Sequence, residues 1–111
     1  MSFRKIGIIG LGLIGGSIAR ALKRSDGNYI IKAWDTDADN IKNALSEKAI
    51  DENAVSLKDD FFDCDVVFLC VPVFAMKEII SEIRNSLSPK CILTDVGSTK
   101  SDVAELIAEM K

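Results

Sequence analysis

Six residues near the amino terminus, Gly10-Leu11-Gly12-Leu13-Ile14-Gly15, have the spacing GxGxxG, whose chemistry is the grip of backbone amides on a pyrophosphate. Gly10 permits a tight turn. Gly12 lets the main chain approach the phosphates with no Cβ in the way, and Gly15 lets the following helix pack closely on the preceding strand. The start of that helix, from Ile14 with Leu13 just before it, would offer unpaired N–H groups and a partial positive charge to the anion. Asp35 lies 20 residues after Gly15. At the end of a second strand, its carboxylate can accept hydrogen bonds from both ribose hydroxyls of an adenosine. A 2′-phosphate there would meet like charge, and neither Thr36 nor Asp37 supplies an arginine, so the pattern favours NAD over NADP. The glycines alone could make only a close turn, and Asp35 alone could be a solvated strand-end acid or a helix cap. The coincidence of strand, glycines, helix and distant acid points to dinucleotide binding.

The whole composition narrows the alternatives. The chain has 111 residues, 48% of them hydrophobic, with 14 Lys+Arg against 17 Asp+Glu and no histidine. That length suits one domain with a real core. A net charge of −3 without a basic run argues against a nucleic-acid partner, since phosphate-backbone binding needs clustered Lys and Arg. Without histidine, any general base would have to be a shifted carboxylate, Lys or Cys. Cys64, Cys70 and Cys91 sit in or beside apolar runs and match no zinc spacing, which suits reduced core thiols in a cytoplasmic protein and no metal. The N-terminus has no signal-peptide h-region, and no apolar run approaches the roughly 20 residues of a membrane span. A soluble, unprocessed protein with no membrane partner is expected.

The elements that must position these residues follow from periodicity. Strand-length apolar runs alternate with helical stretches, which predicts βαβ units: a doubly wound parallel sheet of Rossmann type in the order 3-2-1-4-5. The first strand is expected over Phe3 to Ile9 and the first helix from Ile14, with Ile18, Ala21 and Leu22 on its inner face. Ser25 to Asn28 reads as a turn before a second strand from Tyr29 to Trp34. Thr36 or Asp37 can cap a second helix whose inner face carries Ala38, Ile41 and Leu45. A short third strand is expected near Ala54 to Ser56. Asp65 to Val71 reads as the buried fourth strand, stopped by Pro72, before a helix marked by Met76, Ile79, Ile80, Ile83 and Leu87 that ends at Ser88-Pro89. Cys91 to Val96 is the expected fifth strand, followed by a helix carrying Val103, Leu106, Ile107 and Met110. In this order the ligand crevice opens between strands one and four, beyond their carboxyl ends. The glycine loop, Val71-Pro72-Val73 and Gly97-Ser98-Thr99-Lys100 should converge there, with Val71, Pro72 and Gly97 beside the cofactor and Ser98 and Lys100 the polar groups nearest the substrate.

The run Gly10 to Gly15 with Gly16-Ser17, then Val71-Pro72-Val73, then Thr94-Asp95-Val96-Gly97-Ser98-Thr99-Lys100, resembles the nucleotide-binding half of prephenate and arogenate dehydrogenases. The resemblance spans essentially all 111 residues, and its specific parts are Gly-Gly-Ser and Asp-x-Gly-Ser-x-Lys. It implies oxidative decarboxylation of prephenate or arogenate in tyrosine biosynthesis: NAD takes a hydride, carbon dioxide leaves and the ring becomes aromatic. By the same resemblance Ser98 matches an active-site serine near the substrate hydroxyl, and Lys100 a lysine with an electrostatic or a structural role. On the residues alone, Ser98 can equally cap the last helix and Lys100 can be a solvated first-turn lysine. The family's catalytic histidine, substrate-binding arginines and helical dimerisation domain find no match in these residues. The chain is therefore expected to be a nucleotide-binding domain, residues 1–111, from a longer enzyme or a natural fragment, and catalytically incomplete alone. The alternatives are a stand-alone NAD-binding regulatory module and the NAD domain of another hydroxyacid or ketoacid dehydrogenase. Without a further strand, Cys91 to Val96 would be an edge open to pairing with a second copy.

Overall fold

Strand β1 (Lys5–Ile9), helix α1 (Leu13–Arg24), β2 (Ile30–Trp34), α2 (Ala38–Ser46), β3 (Glu52–Asn53), β4 (Val66–Leu69), α3 (Val73–Ile83) and β5 (Ile92–Asp95) follow one another in the computed structural model, which describes residues 4–25 and 28–95. The strands form one parallel sheet in the order β3-β2-β1-β4-β5, as the alternation of strand and helix predicts. Strand order reverses between β1 and β4, which opens the crevice beyond Ile9 and Leu69.

Both faces of the sheet are covered, and that is why β1 reads as continuous apolar sequence. Ile6 and Ile8 point with Ile31, Ala33, Val66 and Phe68 into a cluster closed by Ile18, Ala19 and Leu22 of α1 and Ile41 of α2. Ile9, Val67 and Leu69 point the other way, under Ile79 and Ile83 of α3 and Phe61 of the β3–β4 connection. Full burial of each large aliphatic side chain contributes roughly 1.5–3 kcal/mol. Gly7 makes a notch on the second face. A Cβ there would lie 2.7 Å from Phe61 Cδ1 and 3.1 Å from Cys64 Sγ, so the ring occupies space that any other residue would fill.

Several boundaries differ from the sequence reading, each for a local reason. The third strand is Glu52–Asn53, not Ala54 to Ser56. Ala54 N still donates to Ala33 O at 2.8 Å, but Val55 N and Ser56 N donate to Asp60 Oδ2 at 2.7 and 2.8 Å and so leave the ladder. The Ser56 and Val55 amides together hold the Asp60 carboxyl below its usual range. β4 is shorter than expected mainly at its carboxyl end: Cys70 N still donates to Ile9 O at 2.8 Å, but Pro72 two residues on is already the N-cap of α3, while at the other end Asp65 N donates to Lys5 O at 2.7 Å. Asp37, not Thr36, caps α2, its Oδ1 accepting from Asp39 N at 2.9 Å. Ile41 is buried, whereas Leu45 is 39% exposed because α2 overhangs a two-residue edge strand. α3 ends at Ile83 rather than at Ser88-Pro89, its carbonyl accepting from both the amide and the hydroxyl of Ser86 at 3.0 and 2.9 Å. β5 lies inside the expected range. Val96 and the expected last helix fall outside the described residues.

A charge network seals the amino-terminal half of the sheet. Lys32 of β2 is only 8% exposed; its Nζ lies 3.3 Å from Asp63 and 3.7 Å from Glu52, and it donates to the Asp60 carbonyl. Lys5 pairs with Asp63 at 2.9 Å and with Glu52 at 3.3 Å. Burial opposes ionisation of Asp63, but hydrogen bonds from Lys5 and Lys32 outweigh it and hold the carboxyl below its usual range. The Asp63 hydrogen bond, chief among the causes, pushes the Lys5 ammonium up.

Candidate functional site

The glycine loop leaves β1 through a turn that only glycine tolerates. Gly10 has φ +100°, and a Cβ there would lie 2.5 Å from the Cys70 carbonyl oxygen. At Gly15 a Cβ would fall 1.9 Å from Gly10 O, so the first turn of α1 sits directly on the loop. Gly12 is different. It is the N-cap of α1, and a Cβ added to it would meet nothing within 4 Å.

Open space thus lies in front of a helix start. The first-turn amides of Leu13, Ile14 and Gly15 have no intrahelical acceptor, no side chain caps them, and no acid stands in the first turn. The Leu13 side chain is 92% exposed, while Ile14 packs against the core. A pyrophosphate fits this environment: uncapped donors, a favourable dipole and room for its oxygens.

Asp35 follows β2 at the same end of the sheet and is already engaged. Its Oδ2 accepts the Leu11 amide at 2.7 Å and Asn40 Nδ2 at 3.2 Å, while Oδ1 accepts the Asp37 amide at 2.8 Å. An ionised carboxylate has about four acceptor positions, so one further hydrogen bond can be made on Oδ1. The link from Asp35 to the glycine loop, and Asn40 with it, escaped the sequence reading. One signal for Asn40 was present, an amide three residues after the cap Asp37, facing the end of β2.

Across from Asp35 the cleft is walled by the β4–α3 junction. A cavity of about 350 Å³ is lined by Gly10, Gly12, Trp34, Asp35, Asn40, Val71, Pro72 and Ile79, among others. Apolar walls with one carboxylate at the rim suit a purine and its ribose. A larger hollow of about 560 Å³ lies beyond Thr36, between α2 and Val55. It touches none of the loop glycines and so lacks the donors a phosphate needs. Cys70 also lines the cleft, but burial pushes its thiol up to about 12, and Cys64 likewise to about 12. Burial also pushes the Cys91 thiol up. These thiols stay protonated at neutral pH and are poor nucleophiles.

The structure therefore brings together Gly10, Gly12, Asp35, Val71 and Pro72, with the Leu13 and Ile14 amides at the helix mouth. β5 reaches the same end of the sheet at Asp95, level with Leu69. Gly97, Ser98 and Lys100 lie outside the described residues.

Comparison with known proteins follows the same outline. Residues 18–111 match the family model for the nucleotide-binding domain of prephenate dehydrogenase. The chain is 33% identical over 108 residues to a prephenate dehydrogenase from Lactococcus lactis, covering 96% of this chain and 30% of that protein. It is equally 33% identical over 108 residues to a cyclohexadienyl dehydrogenase from Zymomonas mobilis, covering 36% of it. The chain thus spans about a third of the length of these relatives. Among solved structures, prephenate dehydrogenase from Aquifex aeolicus in complex with hydroxyphenyl propionate and NAD+ superposes with a TM-score of 0.82 at 31% identity, over 99% of this chain and 39% of the other.

Proposed function

Because the chain belongs to the family of prephenate dehydrogenase nucleotide-binding domains, we propose that it is the NAD-binding part of an enzyme that oxidatively decarboxylates prephenate or arogenate in the cytoplasm. The carrying observation is the empty Cβ position of Gly12, in front of uncapped helix amides and beside Asp35. NAD, when bound, supplies the hydride acceptor. The chain's own residues bind and orient it. The Leu13 and Ile14 amides face the pyrophosphate, Gly10 and Gly12 keep the loop close, and Asp35 accepts from the ribose through Oδ1. Val71 and Pro72 wall the cleft and exclude water from the ring face.

Ser98 and Lys100 complete the reading at the substrate end, on the strength of the Asp-x-Gly-Ser-x-Lys resemblance: Ser98 beside the substrate hydroxyl, Lys100 in electrostatic support. The base and the groups that hold the substrate carboxylates belong to a further domain of the full-length enzyme.

Calorimetric titration tests the cofactor assignment. NAD should bind more tightly than NADP, and Asp35→Ala should weaken NAD roughly tenfold or more, since it removes a charged acceptor and the anchor of Leu11. Equal affinity for the two cofactors, or an unaffected Asp35→Ala variant, refutes it.

A further inference from the structure

One side chain in the cleft has no part in the reading above. Asn40 stands in the first turn of α2 and donates from Nδ2 to Asp35 Oδ2 at 3.2 Å, the oxygen that also accepts the Leu11 amide at 2.7 Å. The Asp37 amide binds Oδ1 at 2.8 Å. Two donors on one oxygen and one on the other fix the position and the rotation of the carboxylate. Its remaining acceptor capacity then lies on Oδ1. Asn40 is itself held: its backbone N donates to Asp37 O at 3.1 Å, in a helix start set by the Asp37 cap.

We propose that Asn40 is a positioning residue for cofactor recognition and selection. It holds Asp35 so that Oδ1 meets the ribose while Oδ2 stays bonded to Leu11 of the glycine loop. The inference rests on the NAD reading and goes one residue beyond it. An uncharged donor is what the place requires. Lysine or arginine at position 40 could hold Oδ2 equally well, but it would cancel the charge that repels a 2′-phosphate and offer that phosphate a partner. Aspartate would set two carboxylates against each other and leave Oδ2 without its second donor.

The test is a double-mutant cycle read by calorimetry with NAD and NADP, on the unaltered chain, Asn40→Ala, Asp35→Ala and the double variant. Asn40→Ala should weaken NAD roughly three- to tenfold, the scale of one hydrogen bond to a carboxylate, and should add nothing in the Asp35→Ala background. Asn40→Lys should move the NADP to NAD preference toward NADP. A second readout needs no ligand: hydrogen exchange of the Leu11 amide should quicken in Asn40→Ala and no further in the double variant than in Asp35→Ala. A loss of NAD affinity that is equal in both backgrounds overturns the proposal, because Asn40 would then act without Asp35. Failure of the unaltered chain to bind NAD overturns the cofactor reading as well, so the two failures are distinct.

Discussion

Gly12 and Gly15 stand three residues apart and serve different ends, which a pair of alanine substitutions separates. At Gly12 the added methyl enters empty space, with φ at −70°, so Gly12→Ala should leave the melting temperature within a few degrees while weakening NAD at least tenfold. At Gly15 the methyl would fall 1.9 Å from a carbonyl oxygen, and Gly15→Ala should cost roughly 3 kcal/mol or more of stability, read by denaturant unfolding. Equal destabilisation of both variants would remove the distinction. The tight turn at Gly10 and the close packing at Gly15 were legible in the sequence, because backbone sterics tie each to a place in the spacing. The bond from Asp35 to Leu11 was not, since its donor is a main-chain amide that every residue but proline carries. Ser98 and Lys100 rest on family resemblance and lie outside the described residues.

At the scale of elements, the sequence made the long strands and α1 plain and blurred what lies between α2 and β4. β1 and β4 are central and apolar on both faces, so burial fixes them; β3 has two residues, and a carboxylate competes for its next amides. Hydrophobic patterning carries no trace of that competition. The end of α2 offers a prediction of the same local kind. Lys48 has φ 62°, with Lys48 N bonded to Leu45 O at 3.1 Å and Ala49 N to Ala44 O at 2.8 Å, the double hydrogen bond of a Schellman turn. Glycine suits that conformation better than lysine, so Lys48→Gly should stabilise the fold by about 0.5–1 kcal/mol in thermal or denaturant unfolding. A destabilised variant would show that the lysine side chain contributes more than its backbone strain costs.

For the whole molecule, acid is the condition that should open the sheet from its amino-terminal half. The Asp60 and Asp63 carboxyls are depressed in the folded chain, so the unfolded state binds more protons as pH falls. Their contribution is present above the unfolded carboxylate value and is lost as pH falls through the lower folded ones. Asp63→Asn should therefore cost about 2 kcal/mol at neutral pH, with the nearly buried Lys32 losing the nearer of its two carboxylates, and the gap to the unaltered chain should close toward acid. A gap independent of pH would place its cause elsewhere. At the opposite margin, among the described residues β5 pairs with β4 alone, and Ile92 is 46% exposed. Light scattering should show association that grows with concentration and is reduced in Ile92→Lys; a chain monomeric throughout would argue against edge pairing. The notch at Gly7 has a different kind of consequence. Because the Phe61 ring fills the place of a side chain on the strand, the β3–β4 connection, with Leu57 and Cys64 beside that ring, covers this part of the sheet without a helix of its own. Positions 7 and 61 are thereby bound into a single unit of inheritance, in which a larger residue at one is tolerable only with a smaller residue at the other.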